Sequence, residues 1–69
     1  MNNNEMNEMM EEIFEGVCIE NGKAWWEVID GDLMDEVDAR IANRLGCSVE
    51  ELEDNEVYLE WTSEMLMDL

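Results

Sequence analysis

The stretch "CIENGKAWWEV", Cys18 to Val28, decides the fold that the sequence predicts. Its Asn-Gly pair at positions 21–22 supplies the positive φ angles that a two-residue type I′ turn requires, so the stretch favours a β-hairpin. Adjacent side chains of a strand point to opposite faces of a sheet. Trp25 and Trp26 therefore cannot share a face, and the hairpin register assigns Trp26 to the core and Trp25 to the outer face.

A third strand is predicted at "EVYLEWT", residues 56–62, because apolar and polar side chains alternate there. Tyr58 would join Trp25 on the outer face of the sheet, among carboxylates. The core face of the three strands would carry Val17, Ile19, Ala24, Trp26, Val28, Val57, Leu59 and Trp61.

A first helix is predicted over residues 4–15, because Met6, Met9, Met10 and Ile13 recur at three- and four-residue spacing and Gly16 follows as a stop. The opposite face holds only acidic residues and no Lys or Arg that would offset them. These residues are Glu5, Glu8, Glu11, Glu12 and Glu15.

Two further helices are predicted in the middle of the chain. One begins after Asp32 as N-cap, repeats apolar residues at four-residue steps and ends at Gly46. Within it, Glu36 lies four residues before Arg40, which favours an ion pair. A short helix then opens at "SVEEL" with a capping box of Ser48 and Glu51.

These elements predict one α+β domain over residues 1–69, with the order α-β-β-α-α-β and helices packed on one face of a three-stranded antiparallel-type sheet. The segment 63–69 fits a short helix or a frayed tail equally well. Strand order and oligomeric state stay open, although a homodimer would bury additional area for so small a core.

The strongest compositional feature is charge: 20 Asp and Glu against 3 Lys and Arg, with no His, for a net charge of −17. Hydrophobic residues nevertheless make up 46% of the chain, which favours a folded core inside an acidic shell. Such a shell repels both nucleic acid and anionic lipid. No basic leader or membrane-length apolar run is visible, so we expect reduced thiols at Cys18 and Cys47 and a cytoplasmic location.

No chemical motif points to catalysis, a metal or a cofactor. Without His, neither cysteine has an obvious general base, and zinc would have to be held by cysteines and carboxylates alone. The run "DGDLMDEVD" lacks the EF-hand pattern, since counting from Asp30 puts Met34 at position five and Ile41 at position twelve. We therefore expect a protein that is not an enzyme.

The run "RIANRLGCSVEEL" resembles the I-A-x-x-L-G-x-S-x-x-E-L pattern found around helix-turn-helix domains of bacterial and phage repressors. The resemblance covers 12 residues and implies a helix, a glycine stop and a second, capped helix. Direct DNA binding is not expected, because it requires cations that displace counterions from phosphates.

Carboxylates recur in rows that approximate the charge spacing of a nucleic-acid strand. Together with the small size and the absence of catalytic motifs, this composition resembles that of small acidic phage-encoded inhibitors, among them anti-CRISPR and DNA-mimicking anti-restriction proteins. The resemblance implies an inhibitor that binds the basic DNA-recognition surface of a defence complex. The expected partner-binding residues are Glu5, Glu8, Glu12, Glu15, Glu20, Trp25, Glu27, Glu56, Tyr58 and Glu60.

Other interpretations stay open. The chain could be a phage or mobile-element interaction module with its acidity serving solubility, which docks through Trp25, through Tyr58 or through a pliable surface of the Met-rich first helix and tail. Its charge could instead be an adaptation to a saline cytoplasm. Trp25 could also be an ordinary cross-strand partner of Cys18 and Lys23, or lie under the C-terminal segment, with no role in binding.

Overall fold

The computed structural model describes all residues from Met1 to Leu69 and contains five α-helices and no strand. Helices account for 78% of the chain. The helices are α1 (Asn3–Asn21), α2 (Trp25–Ile29), α3 (Leu33–Leu45), α4 (Val49–Glu53) and α5 (Glu56–Met67). The predicted α+β class and its three-stranded sheet are therefore wrong, and the molecule is a small helical bundle.

The predicted hairpin at Cys18–Val28 is replaced by the end of one helix and the start of the next. Gly22 adopts a left-handed conformation (φ 61°), and its N–H donates to the carbonyl of Ile19 while the N–H of Lys23 donates to that of Cys18. This is a Schellman motif. The positive φ that an Asn-Gly pair supplies therefore ends a helix here, where the sequence favoured a hairpin turn.

The predicted first helix is correct but too short. Gly16 lies inside α1, and the helix continues to Asn21. Glycine only weakens a helix interior by roughly 0.5–1 kcal/mol, so burial of Val17 at the next position can outweigh it.

The predicted third strand at 56–62 is also wrong. Asn55 caps α5 by accepting hydrogen bonds from the backbone N–H groups of Val57 and Tyr58 at 2.9 and 3.2 Å. Tyr58, Trp61 and Met65 then recur at helical spacing and turn towards the core. The segment 63–69, which the sequence left open, is helical as far as Met67.

The middle of the chain agrees with the sequence. Helix α3 begins after Asp32, although the Asp32 side chain makes no capping hydrogen bond, and it ends at Gly46 with a φ of 76°. The capping box that opens α4 is present, with the Glu51 N–H donating to Ser48 Oγ at 3.1 Å. The helix–glycine–helix unit that resembles repressors is thus present as local structure.

A single core joins all five helices. Its buried apolar residues are Met6, Met9, Met10, Phe14, Val17, Val28, Ile29, Val37, Ile41, Ala42, Leu52, Tyr58 and Trp61. Val17, Val28 and Trp61 are buried as predicted, whereas Trp26, Ile19 and Leu59 are 54%, 79% and 45% exposed. The assignment of Trp26 to the core is wrong because it depended on strand alternation.

Helix α1 contacts α2, α3 and α5. The molecule measures 29 × 23 × 20 Å. Both cysteines are free thiols, and none of the five helices combines the length and apolarity that spanning a bilayer requires. The outer face of α1 remains uncovered, and it carries the acidic residues described next.

Candidate functional site

The outer face of α1 carries five exposed glutamates, which we call the acidic row: Glu5, Glu8, Glu11, Glu12 and Glu15. They face outward because the other side of α1 supplies Met6, Met10, Phe14 and Val17 to the core. Together with Asn7, the last four line a shallow open depression of about 360 Å³ that contains no hydrophobic residue. The acidic row predicted from sequence is therefore brought together on one helix.

The charge density of the acidic row resembles that of a nucleic-acid strand. At a rise of about 1.5 Å per residue, positions 5 to 15 span about 15 Å, which gives one carboxylate per about 3–4 Å. One strand of B-DNA carries one phosphate per about 3.4 Å of helix axis. A protein surface that reads phosphates would thus meet a comparable line of negative charge.

No cation of the chain neutralises the acidic row. Arg40 binds Glu20 at 2.7 Å and Glu36 at 3.2 Å, and these are the two ion pairs of the molecule. The Glu36–Arg40 pair was predicted from sequence, and Arg44 makes no ion pair. Glu20 was predicted to bind a partner, but its charge is already offset by Arg40.

The remaining predicted carboxylates are exposed but are not assembled on a sheet face. Glu27 lies on α2 and accepts a hydrogen bond from the backbone N–H of Ala24 at 3.1 Å. Glu56 and Glu60 lie one turn apart on α5. They form a second, shorter line of charge on a separate helix.

Tyr58 does not lie at the surface. It is 7% exposed and donates a hydrogen bond of 2.6 Å to Asp38 Oδ1, so its predicted exposure beside Trp25 is wrong. Burial, the hydrogen bond and the negative charge of Asp38 all raise the pKa of the Tyr58 hydroxyl. Burial also raises the pKa of the Asp38 carboxyl, although the bond from Tyr58 opposes this shift.

Trp25 lines a depression of about 250 Å³ where α1, the start of α2 and the end of α5 meet. We call it the aromatic notch. Its residues are Glu11, Phe14, Glu15, Trp25, Trp61, Met65 and Asp68. Two of its carboxylates belong to the acidic row, so the notch and the row form one continuous surface.

Aromatic rings form the walls of the notch. Phe14 and Trp61 stand edge to face, with ring centroids 5.8 Å apart and planes at 89°. Trp25 makes a second edge-to-face pair, at 5.8 Å and 84°, with Trp26, which does not line the notch. Trp25 is 36% exposed, so part of its ring is accessible to solvent.

Sequence reasoning missed Asp68 and Phe14 as site residues and placed Trp61 only in the core. It included Met65 only in an alternative binding surface of the first helix and the tail. Helical spacing already linked Phe14 to the acidic row. Nothing in the sequence, however, placed Asp68 beside Glu11, because they lie on different helices at opposite ends of the chain.

The chemistry available at this surface is charge and aromatic contact. No group of three Cys, Asp or Glu side chains is arranged to hold a metal ion. Burial and the neighbouring charge of Glu15 raise the pKa of the Cys18 thiol, which keeps it protonated and weakly nucleophilic. Comparison with known proteins adds no relative: no family model, curated protein or solved structure matches the chain.

Proposed function

We propose that the protein is a non-enzymatic inhibitor that binds the basic DNA-recognition surface of a nucleic-acid-binding defence complex, by DNA mimicry of the anti-CRISPR type. The observation that carries this proposal is the unpaired acidic row on α1. A carboxylate row without cations raises self-repulsion, and a cationic partner would relieve it. On this proposal the protein acts in the cytoplasm of a host bacterium.

The proposal rests on α1, since the sheet that was expected to hold a second row does not exist. Glu5, Glu8, Glu12 and Glu15 remain proposed contacts, with Glu11 added. Glu56 and Glu60 are secondary contacts on α5. Tyr58 is not among the proposed contacts because it is buried, and Glu20 is not among them because it forms an ion pair with Arg40.

The test is competition between the protein and duplex DNA for CRISPR effector complexes of several types, at two salt concentrations. A mimic should block DNA binding, and its inhibition should weaken as salt rises, because exposed charges are screened beyond about 10 Å at 0.1 M. Absence of inhibition across the effector panel at both salt concentrations would contradict the anti-CRISPR proposal.

A pair of matched variants separates the acidic row from total charge. The triple variant Glu5→Gln, Glu8→Gln, Glu12→Gln removes three charges from the row. The control variant Glu50→Gln, Glu53→Gln, Glu64→Gln removes three charges from exposed positions of α4 and α5. The row variant should lose most of its inhibition while the control retains it, and equal losses would show that only net charge matters.

A second candidate function is an interaction module that docks through aromatic side chains, and the exposed Trp25–Trp26 pair favours it. This candidate differs in its salt response. An adaptor should lose binding on replacement of a single tryptophan and respond little to salt, because hot spots concentrate energy in a few buried aromatic residues.

A further inference from the structure

We propose that the aromatic notch binds one arginine side chain of the partner. This contact fixes the position of the acidic row along the basic surface of the partner. The inference rests on the proposed function and names the chemistry of its partner. A guanidinium group would lie against the exposed ring of Trp25, with carboxylates of Glu11, Glu15 and Asp68 at the rim.

The size of the notch favours a single side chain over a small-molecule ligand. Its volume of about 250 Å³ lies below the range of about 300–1,000 Å³ typical of small-molecule sites. Four of its seven lining residues are apolar: Phe14, Trp25, Trp61 and Met65. Such walls suit the aliphatic stem of a long basic side chain, whose charged end stays at the rim.

The charge of the notch selects a cation. Three carboxylates line it, and none of them takes part in an ion pair within the chain. The net charge of −17 favours approach of any basic group. Charge complementarity therefore identifies a basic side chain as the occupant.

Two features favour arginine over lysine. A guanidinium is planar, stacks on aromatic faces and is more weakly hydrated than an ammonium, and it binds carboxylates in a two-pronged geometry. Arginine is also the side chain most often used to read guanine in the major groove. A mimic that captures such an arginine would occupy the residue that the DNA needs.

The test uses two peptides of equal charge, hexa-arginine and hexa-lysine, so that it does not depend on any defence complex. Affinities are measured by isothermal titration calorimetry at moderate salt, and indole N–H signals are followed by NMR. The notch should bind hexa-arginine about two- to fivefold more tightly than hexa-lysine. This ratio corresponds to the free energy of a cation–π contact at an exposed site. The Trp25 indole signal should shift with hexa-arginine.

Trp25→Ala should abolish the preference for arginine and leave the affinity for hexa-lysine nearly unchanged. Leu59→Ala is the matched control, because Leu59 is an exposed apolar residue outside the notch. It should retain the preference. Equal affinity for the two peptides in the wild-type protein, or a preference that survives Trp25→Ala, would overturn the proposal.

A charge variant covers the case in which Trp25→Ala does not fold. Glu11→Gln with Glu15→Gln removes two unpaired carboxylates from the outer face of α1, where their repulsion opposes folding. It should weaken hexa-arginine binding more than Glu50→Gln with Glu53→Gln, which removes the same charge from α4. Equal weakening would overturn the notch as a site.

The two proposals fail in distinguishable ways. Inhibition of effectors without arginine preference would retain DNA mimicry and reject the notch. Arginine preference that depends on Trp25, without inhibition of any effector, would retain the notch and reject the anti-CRISPR target.

Discussion

Tyr58 donates its phenolic hydrogen to Asp38 at 2.6 Å, and both side chains are buried. The bond links α5 to α3 and is the only hydrogen bond between buried side chains in the molecule. Because burial raises the pKa of Asp38, its carboxyl contributes most to the free energy of unfolding below the ordinary Asp pKa of about 4. That contribution is lost as the pH rises through the raised native pKa.

Tyr58→Phe should lower the free energy of unfolding by about 1.5–3 kcal/mol at pH 7, the usual range for a hydrogen bond to a charged group. The loss should shrink to about 0.5–1.5 kcal/mol near pH 4, which lies below the raised pKa of Asp38, so that the carboxyl is protonated and the bond is neutral. Urea unfolding at both pH values measures the difference. Asp38→Asn is the control, since it keeps an acceptor for Tyr58 without a charge, and its stability should depend less on pH. A loss that is equal at both pH values would contradict this account.

Helix α1 continues through one glycine, Gly16, and ends at another, Gly22. Gly16 has helical neighbours, and a methyl group added to it would meet no atom within 4 Å. Gly22 also has free space around it, but its φ of 61° disfavours any residue with a Cβ. The backbone conformation therefore decides whether each position tolerates a residue with a Cβ, since both positions have free space.

Gly16→Ala should raise the free energy of unfolding by roughly 0.5–1 kcal/mol, because alanine loses less entropy on entering a helix. Gly22→Ala should lower it by about 1–2 kcal/mol, the cost of a left-handed conformation for a residue with a Cβ. Urea unfolding followed by circular dichroism tests both. The predicted hairpin would give a different result, since it places Gly16 outside any helix. A destabilising Gly16→Ala would therefore contradict the long α1.

The whole molecule is governed by its uncompensated charge. A net charge of −17 is spread over a body whose longest dimension is 29 Å. At 0.01 M salt the Debye length is about 30 Å, so every carboxylate repels every other, whereas at 1 M it is about 3 Å. A core of this size supplies only roughly 3–5 kcal/mol, so this repulsion is a large part of the balance.

Raising NaCl from about 0.01 M to about 1 M should therefore increase the free energy of unfolding by at least about 1 kcal/mol, or about 4–8 °C in Tm. Thermal unfolding followed by circular dichroism measures the shift. The triple variant Glu5→Gln, Glu8→Gln, Glu12→Gln should be more stable at low salt and should respond less to added salt. A variant that is equally stable and equally salt-sensitive would show that the acidic row does not strain the fold.

Sequence alone determined the features that depend on residues close together in the chain. Helix α3 with its Gly46 stop, the Ser48–Glu51 capping box and the acidic face of α1 were all predicted, since each rests on contacts within one or two helical turns. Net charge and hydrophobic content, which need no structure, also indicated an acidic shell around a folded core.

Tertiary structure decided what local patterns left ambiguous. The Asn-Gly pair at 21–22 and the alternation at 56–62 favoured strands locally, but over so few residues each is also compatible with helices. When residues 56–67 form a helix, Trp61 packs on Phe14 and Tyr58 donates its buried hydrogen bond to Asp38. The aromatic notch follows from the same packing. Burial of apolar residues that are distant in sequence brings the two ends of the chain together around Trp25, and no local preference would do so.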